Sequence, residues 1–143
     1  MSSLCAIILT YNEEIHLERC LKSLDELCDE IVVVDSFSND KTKKIASKYN
    51  AKFFQNKFLN YSNQLNWALT NIKIKSNWIL RIDADEYLTD DLAYNIKSSL
   101  KEVNSNVTGL SFNRLMFFLG KPLKNGGMYP ISHLRIWRKG FAY

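Results

Sequence analysis

Glycine and proline are scarce in this chain, at 5 and 2 of 143 residues, so low complexity and disorder driven by composition are excluded. Cysteine occurs three times, at Cys5, Cys20 and Cys28. An odd number, without metal-ligand spacing and each on an apolar stretch or face, argues against a disulfide framework and for buried thiols in a reducing compartment. No segment approaches the ~20 apolar residues of a membrane span, and the run Leu4 to Leu9 is too short, and lacks the basic leader, to serve as a secretory signal. The expected location is the cytoplasm or the inner face of the cytoplasmic membrane. Acid is missing from one whole region. Up to Glu102 the chain holds 13 Lys/Arg and all 15 Asp/Glu, whereas the rest has six cations and no carboxylate, and so accounts for the net charge of +4.

What is present is enough for one domain. With 46% hydrophobic residues, a chain of 143 buries roughly two thirds of its unfolded surface without staples. Leu4–Thr10, Ile31–Val34, Lys52–Gln55 and Trp78–Asp83 read as strands, and the longer runs lack alternation, as expected of strands covered on both faces. Helical patterns lie between them. Asn12 is expected to cap a helix with Glu13 and Glu14 in its first turn and Leu17, Cys20, Leu21, Leu24 and Cys28 on its apolar face. Asp40 opens a second through Tyr49, Ser62–Ile72 makes a third, and Thr89 caps a fourth running to about Val103. Strand and helix alternating in units of about thirty residues imply a three-layer α/β/α fold with a mostly parallel central sheet. Gly109–Leu119 reads as an aromatic strand, Gly120–Pro130 as a loop and Leu134–Arg138 as a last strand. The chain is expected to be one domain, with residues 1–102 as its ligand-binding half and 103–143 as the start of a second half.

In an open parallel sheet, ligands bind beyond the carboxyl ends of the strands. Thr10-Tyr-Asn-Glu-Glu14 follows the first strand, Asp35-Ser-Phe-Ser-Asn-Asp40 the second and Asp83-Ala-Asp-Glu86 the fourth. Crowding Asp35, Asp83, Asp85 and Glu86 together would be repulsive by several kcal/mol without a cation. Oxygen donors select a hard ion, Mg²⁺ or Mn²⁺, and such ions take one or two carboxylates plus phosphate oxygens, which points to a diphosphate ligand.

Ala6-Ile-Ile-Leu-Thr-Tyr-Asn-Glu-Glu14, Glu30-Ile-Val-Val-Val-Asp-Ser-Phe-Ser-Asn-Asp40 and Leu80-Arg-Ile-Asp-Ala-Asp-Glu86 together resemble family 2 glycosyltransferases of the GT-A fold. Gly120-Lys-Pro-Leu-Lys-Asn-Gly-Gly127 and Leu134-Arg-Ile-Trp-Arg-Lys-Gly140 are similar to the branch that includes lipopolysaccharide core glucosyltransferases. The resemblance implies an inverting transfer from a nucleoside diphosphate-sugar, of the UDP type, to a glycan or glycolipid. It implies that Thr10, Tyr11 and Glu13 line the nucleotide pocket, that Asp35 accepts a hydrogen bond from the base, that Asp83 contacts the ribose and that Asp85 holds the metal.

Two departures accompany it. Where related sequences usually carry a basic residue between Gln and Asn near the start of the third helix, this chain reads Gln64-Leu65-Asn66, leaving Gln64 and Asn66 as polar candidates for the nucleotide. The carboxylate that takes the acceptor proton is unassigned and expected beyond Tyr143; His133 alone after Glu102 titrates near neutrality, and a lone histidine is more often structural. A non-catalytic nucleotide-sugar-binding fragment is therefore the alternative reading.

The basic end is expected to face an anionic acceptor, such as a phosphorylated glycolipid, or an anionic membrane surface. Its spread-out charges carry no nucleic-acid motif. Leu115–Leu119 is expected to be a buried strand, with dipping into a membrane interface as the alternative. A dehalogenase-type phosphatase would need an aspartate where Thr10 ends the first strand, and a dinucleotide-binding oxidoreductase would need a glycine-rich turn there.

Overall fold

The computed structural model describes residues 2–142. Eight strands and four helices follow in the order β1 Leu4–Thr10, α1 Leu17–Leu24, β2 Glu30–Asp35, α2 Thr42–Lys48, β3 Lys52–Gln55, α3 Tyr61–Asn71, β4 Trp78–Arg81, α4 Asp90–Glu102, β5 Gly109–Asn113, β6 Met116–Phe118, β7 Lys121–Leu123 and β8 Ser132–Arg138. Six strands form one sheet in the order β3-β2-β1-β4-β8-β5. The first four in this order are mutually parallel, while β8 runs antiparallel to both β4 and β5. This is the expected α/β architecture with a mostly parallel sheet.

The strands are apolar on both faces because both faces are covered. Ala6 and Ile8 of β1, Val33 of β2 and Trp78 and Leu80 of β4 pack with Leu17, Leu21 and Leu24 of α1 and Ile96 and Leu100 of α4. The alternate residues Cys5, Ile7, Val32, Val34 and Ile79 pack on the other face against Ala68 of α3 and Ile72. Each fully buried Leu or Ile adds about 1.5–3 kcal/mol, so these layers fix the strand order. Strand order reverses between β1 and β4: the chain steps outward from β1 to β2 to β3, then returns across the sheet through α3 to β4. The crevice for a ligand in such a sheet opens at that reversal, beyond Thr10 and Arg81.

The expected Thr89 cap holds, and Asn60 caps a second helix. Asn60 caps α3 by accepting from the Asn63 amide at 2.8 Å, and Thr89 caps α4 by accepting from the Leu92 amide at 3.3 Å. Asn12 does not cap α1, which begins at Leu17. It lies at φ 52° instead, its side-chain oxygen accepting from the Asn39 amide and its own amide donating to Ser38 Oγ. Bonding to the loop after β2 outcompetes the local cap. Glu13 and Glu14 thus fall in a turn before the helix, where the Glu13 carbonyl accepts from the His16 and Leu17 amides.

Corrections cluster after Gly109. The expected single strand is two, β5 and β6, and the expected loop contains β7, which closes a separate hairpin with β6. Leu115–Leu119 is not a buried strand: Leu115, Phe117, Phe118 and Leu119 are all exposed, because the hairpin stands off the main sheet. Leu119 and Gly120 form its two-residue tip, both with positive φ as a type I′ turn requires. Cys5 and Cys20 are buried and Cys28 is half-buried, all as free thiols. Burial pushes the Cys5 and Cys20 thiols up to about 12, and raises Cys28 as well, so none is a ready nucleophile. Among the described residues no helix is long and apolar enough to cross a membrane.

Candidate functional site

β1 and β2 run in register, with Thr10 opposite Asp35. Thr10 Oγ1 donates to Asp35 Oδ1 at 2.8 Å, Ser38 Oγ donates to the same oxygen, and the Ser38 amide donates to Oδ2 at 2.8 Å. Gln55 Nε2 adds a long contact of 3.4 Å. Asp35 is therefore fully enclosed and its carboxylate is satisfied from within the protein. Gln64 is enclosed too: its Nε2 donates to Ser36 Oγ and the Asn56 carbonyl, and its Oε1 accepts from Asn56 Nδ2. Neither side chain meets solvent, and both brace the loop after β2. Tyr11 and Glu13, on the loop after β1, do reach the surface; the Glu13 amide is held by Thr42 Oγ1 and its carboxylate lies 3.2 Å from His16 Nδ1.

On the other wall of the crevice, Asp83-Ala-Asp-Glu86 leaves β4 as a tight turn in which the Glu86 amide donates to the Asp83 carbonyl. Asp83 Oδ1 accepts from Tyr61 Oη at 3.0 Å and lies 4.0 Å from Arg81 Nη2. The Arg81 guanidinium in turn stacks 4.5 Å from the Tyr61 ring centre. Burial, reinforced by the Asp83 charge, pushes the Tyr61 hydroxyl up to about 12, so it stays a donor. Glu86 accepts twice from Arg135 of β8, at 3.0 and 2.8 Å, and once from the Asp83 amide at 3.0 Å. Arg19 of α1 donates to the Asp85 carbonyl and lies 4.5 Å from the Tyr87 ring centre.

Four acids were expected to crowd together here, and each finds a different solution. Asp35 is satisfied by hydroxyls and an amide, Asp83 by Tyr61 with Arg81 nearby, and Glu86 by Arg135. Asp85 is exposed, and its carboxylate has no hydrogen-bond or ion-pair partner among the described residues. Among the described residues no three His, Cys, Asp or Glu side chains gather into a ready-made metal cage. One free carboxylate beside a second still fits a hard cation that brings phosphate oxygens and water as its other ligands.

The sequence left Tyr61, Arg81, Arg19 and Arg135 out of the site. No local pattern marks the first three, which are assembled by chain crossings, but the Arg135 partner Glu86 had been visible as part of the acid cluster. The basic end also changes meaning. Arg135 is buried against Glu86, Arg138 donates to the carbonyls of Val107 and Asn104, and Lys139 donates to that of Ile74. Of the six, Arg135 is the one paired with a carboxylate among the described residues, Lys139 stays exposed although bonded to a carbonyl, and Arg114, Lys121 and Lys124 lie on or beside the hairpin. His133 lies on β8 with Nε2 buried and unpartnered among the described residues.

The mostly parallel sheet whose order reverses between β1 and β4, with acids just past the strand ends, is an α/β fold of the GT-A type that solved structures share. Staphylococcus aureus TarS superposes with a TM-score of 0.64 at 20% identity, over 96% of this chain and 47% of that one. Glucosyl-3-phosphoglycerate synthase from Mycobacterium tuberculosis, solved with Mn²⁺, UDP and glucosyl-3-phosphoglycerate, gives 0.52 at 20% identity over 60% of this chain and 36% of that one. Residues 5–129 match the model of glycosyl transferase family 2, and the chain belongs to that family. LpsC of Rhizobium meliloti, a lipopolysaccharide core biosynthesis glycosyltransferase, is 30% identical over 142 residues, which are 96% of this chain and 51% of that one. An uncharacterized glycosyltransferase of Rickettsia bellii is 44% identical over 87 residues, 61% of this chain and 29% of the relative. The chain thus spans about half the length, or less, of these curated relatives.

Proposed function

We propose that the β1/β4 crevice binds a nucleoside diphosphate-sugar, of the UDP type, together with Mg²⁺ or Mn²⁺, for transfer of the sugar with inversion to an anionic glycan or glycolipid. The observation that carries this reading is Asp85: of Asp35, Asp83, Asp85 and Glu86 it alone lacks a partner among the described residues, and it lies just past β4 at the strand reversal. Family membership and the UDP and Mn²⁺ held by the mycobacterial synthase support it. Asp85 would hold the cation, with Asp83 beside it turned toward the ribose. When bound, the cation offsets the charge that develops on the departing diphosphate. Tyr11 and Glu13 would line the nucleotide pocket from the other wall, while Thr10, Asp35 and Gln64 hold that wall in place from beneath. Tyr61 keeps the Asp83 carboxylate oriented, and Arg19 fixes the backbone at Asp85. The group that takes the acceptor proton is not assigned to any residue of this chain.

On the acceptor side we place the β6–β7 hairpin. Its exposed Phe117, Phe118 and Leu119 lie among Arg114, Lys121 and Lys124, none of which has a carboxylate partner among the described residues. Apolar tip and cationic flank together suit an anionic glycolipid in a membrane surface.

Thermal melting with UDP, with and without Mn²⁺, tests the donor site. Ligand at about a hundred times its Kd stabilises by about 2.7 kcal/mol, a shift of several degrees for this length. Asp85→Ala should remove the metal-dependent part of the shift and leave the unliganded melting temperature unchanged, since the side chain is exposed. Absence of a metal-dependent shift with UDP, GDP and ADP alike would overturn the reading.

A further inference from the structure

Phe37 adopts φ 60°, the left-handed region that glycine enters freely and bulky residues avoid. A ring held at such a site is normally justified by packing, yet Phe37 is 59% exposed and belongs to neither hydrophobic cluster. The fold therefore gains nothing evident from the side chain and would be better served by glycine. Backbone strain that the core does not need is a mark of function.

The loop around it is held firmly. The Ser36 amide donates to the Thr10 carbonyl, Ser38 is bonded through both amide and hydroxyl to the enclosed Asp35, and Ser38 Oγ also accepts from the Asn12 amide. The Asn39 amide donates to Asn12 Oδ1. These cross-links tie the loop carrying Phe37 to the loop carrying Tyr11, whose ring is 61% exposed. Two exposed aromatic rings thus sit on neighbouring, mutually bonded loops at the carboxyl ends of adjacent parallel strands. With Asp35 and Gln64 enclosed, the Tyr11 and Phe37 rings are the exposed aromatic surface at this edge, beside the carboxylates of Glu13 and Glu14.

We infer that Phe37 is a nucleobase-stacking residue: its ring, carried on a loop bonded to the one that carries Tyr11, binds the flat face of the base of the nucleotide ligand. The inference rests on the donor site proposed above and adds a residue to it. Stacking on a preformed ring is tolerant of base identity, because every base has a π-face, so Phe37 would set the strength of nucleotide binding more than the choice among bases.

The test is Phe37→Gly in the full chain, with Phe37→Tyr beside it, measured by calorimetric titration of UDP and of inorganic diphosphate, both with Mn²⁺. Phe37→Gly should weaken UDP by about tenfold, equivalent to about 1.4 kcal/mol, leave diphosphate binding unchanged and melt no lower than the wild type, since strain is relieved. Phe37→Tyr should bind UDP as the wild type does. Wild-type UDP affinity in Phe37→Gly overturns the inference alone. Equal weakening of UDP and diphosphate also overturns it, because that marks a loop displaced rather than a stack removed. If the wild-type chain binds neither ligand, the donor-site reading falls and this inference with it.

Discussion

Removing Glu86 should destabilise the protein more than removing Arg135, although the two form one ion pair. Arg135 is 4% exposed, and its guanidinium makes both side-chain bonds to Glu86, at 3.0 and 2.8 Å. Glu86→Ala would strand that charge away from water and also take the acceptor from the Asp83 amide. Breaking a buried pair from this side costs about 3–5 kcal/mol, and we take about 4. At about 3 °C per kcal/mol for a chain of this length, the melting temperature should fall by about 12 °C. Arg135→Met leaves the milder problem. The Glu86 side chain is 21% exposed and keeps the Asp83 amide, so the expected loss is about 2 kcal/mol, or about 6 °C. In Glu86→Ala/Arg135→Met both charges are gone, and the loss should be well below the sum of the single changes. Scanning calorimetry of the four proteins at neutral pH reads all three values. An Arg135→Met protein that melts below Glu86→Ala, or a Glu86→Ala protein within about 3 °C of the wild type, would refute the reasoning.

Two other expectations follow from side chains outside the crevice. Glu30 resists burial through hydrogen bonds from Lys52, Ser76 and the Lys75 amide, which hold its carboxyl down from 4.5 to about 2. A depressed carboxyl stabilises the fold above its unfolded value, so this contribution should be intact above pH 4.5 and disappear as pH falls toward 2. Glu30→Gln should accordingly melt lower than the wild type at pH 6 and converge with it near the acid limit; an equal gap at both ends would count against the assignment. At the hairpin, Phe117→Ser/Phe118→Ser should reduce partitioning onto phosphatidylglycerol vesicles by at least about tenfold, from the apolar area lost. Phosphatidylcholine vesicles should bind neither protein, and unchanged partitioning of the variant onto the anionic vesicles would remove the hairpin from the acceptor side.

Much of this was legible in the sequence because it is encoded locally. Apolar runs without alternation gave covered parallel strands, and β1, β2 and β3 lie where they were expected. Thr89 caps its helix by a short-range bond that needs no tertiary partner, and α4 begins at the residue after it. The acids at three strand ends were visible for the same reason, since a strand exit is a sequence feature. Asn12 failed as a cap because the loop after β2, some 26 residues away, offered its amide and side chain better partners. Leu115–Leu119 was read as buried from its composition alone, and composition does not say whether a sheet has room for another strand.

The sequence by itself determined the α/β class, the strand ends that carry chemistry and the family, because periodicity and short motifs are properties of neighbouring residues. Only the tertiary structure decided which acid is free. Asp35, Asp83, Asp85 and Glu86 look alike along the chain, but Thr10, Tyr61 and Arg135 reach the first, second and fourth from other strands and helices, leaving Asp85 without a partner among the described residues. The same crossings enclosed Gln64, buried Arg135 against Glu86 and tied the loop carrying Phe37 to the loop carrying Tyr11. Charge and burial are set by what packs against a residue, and that is a fact about the fold.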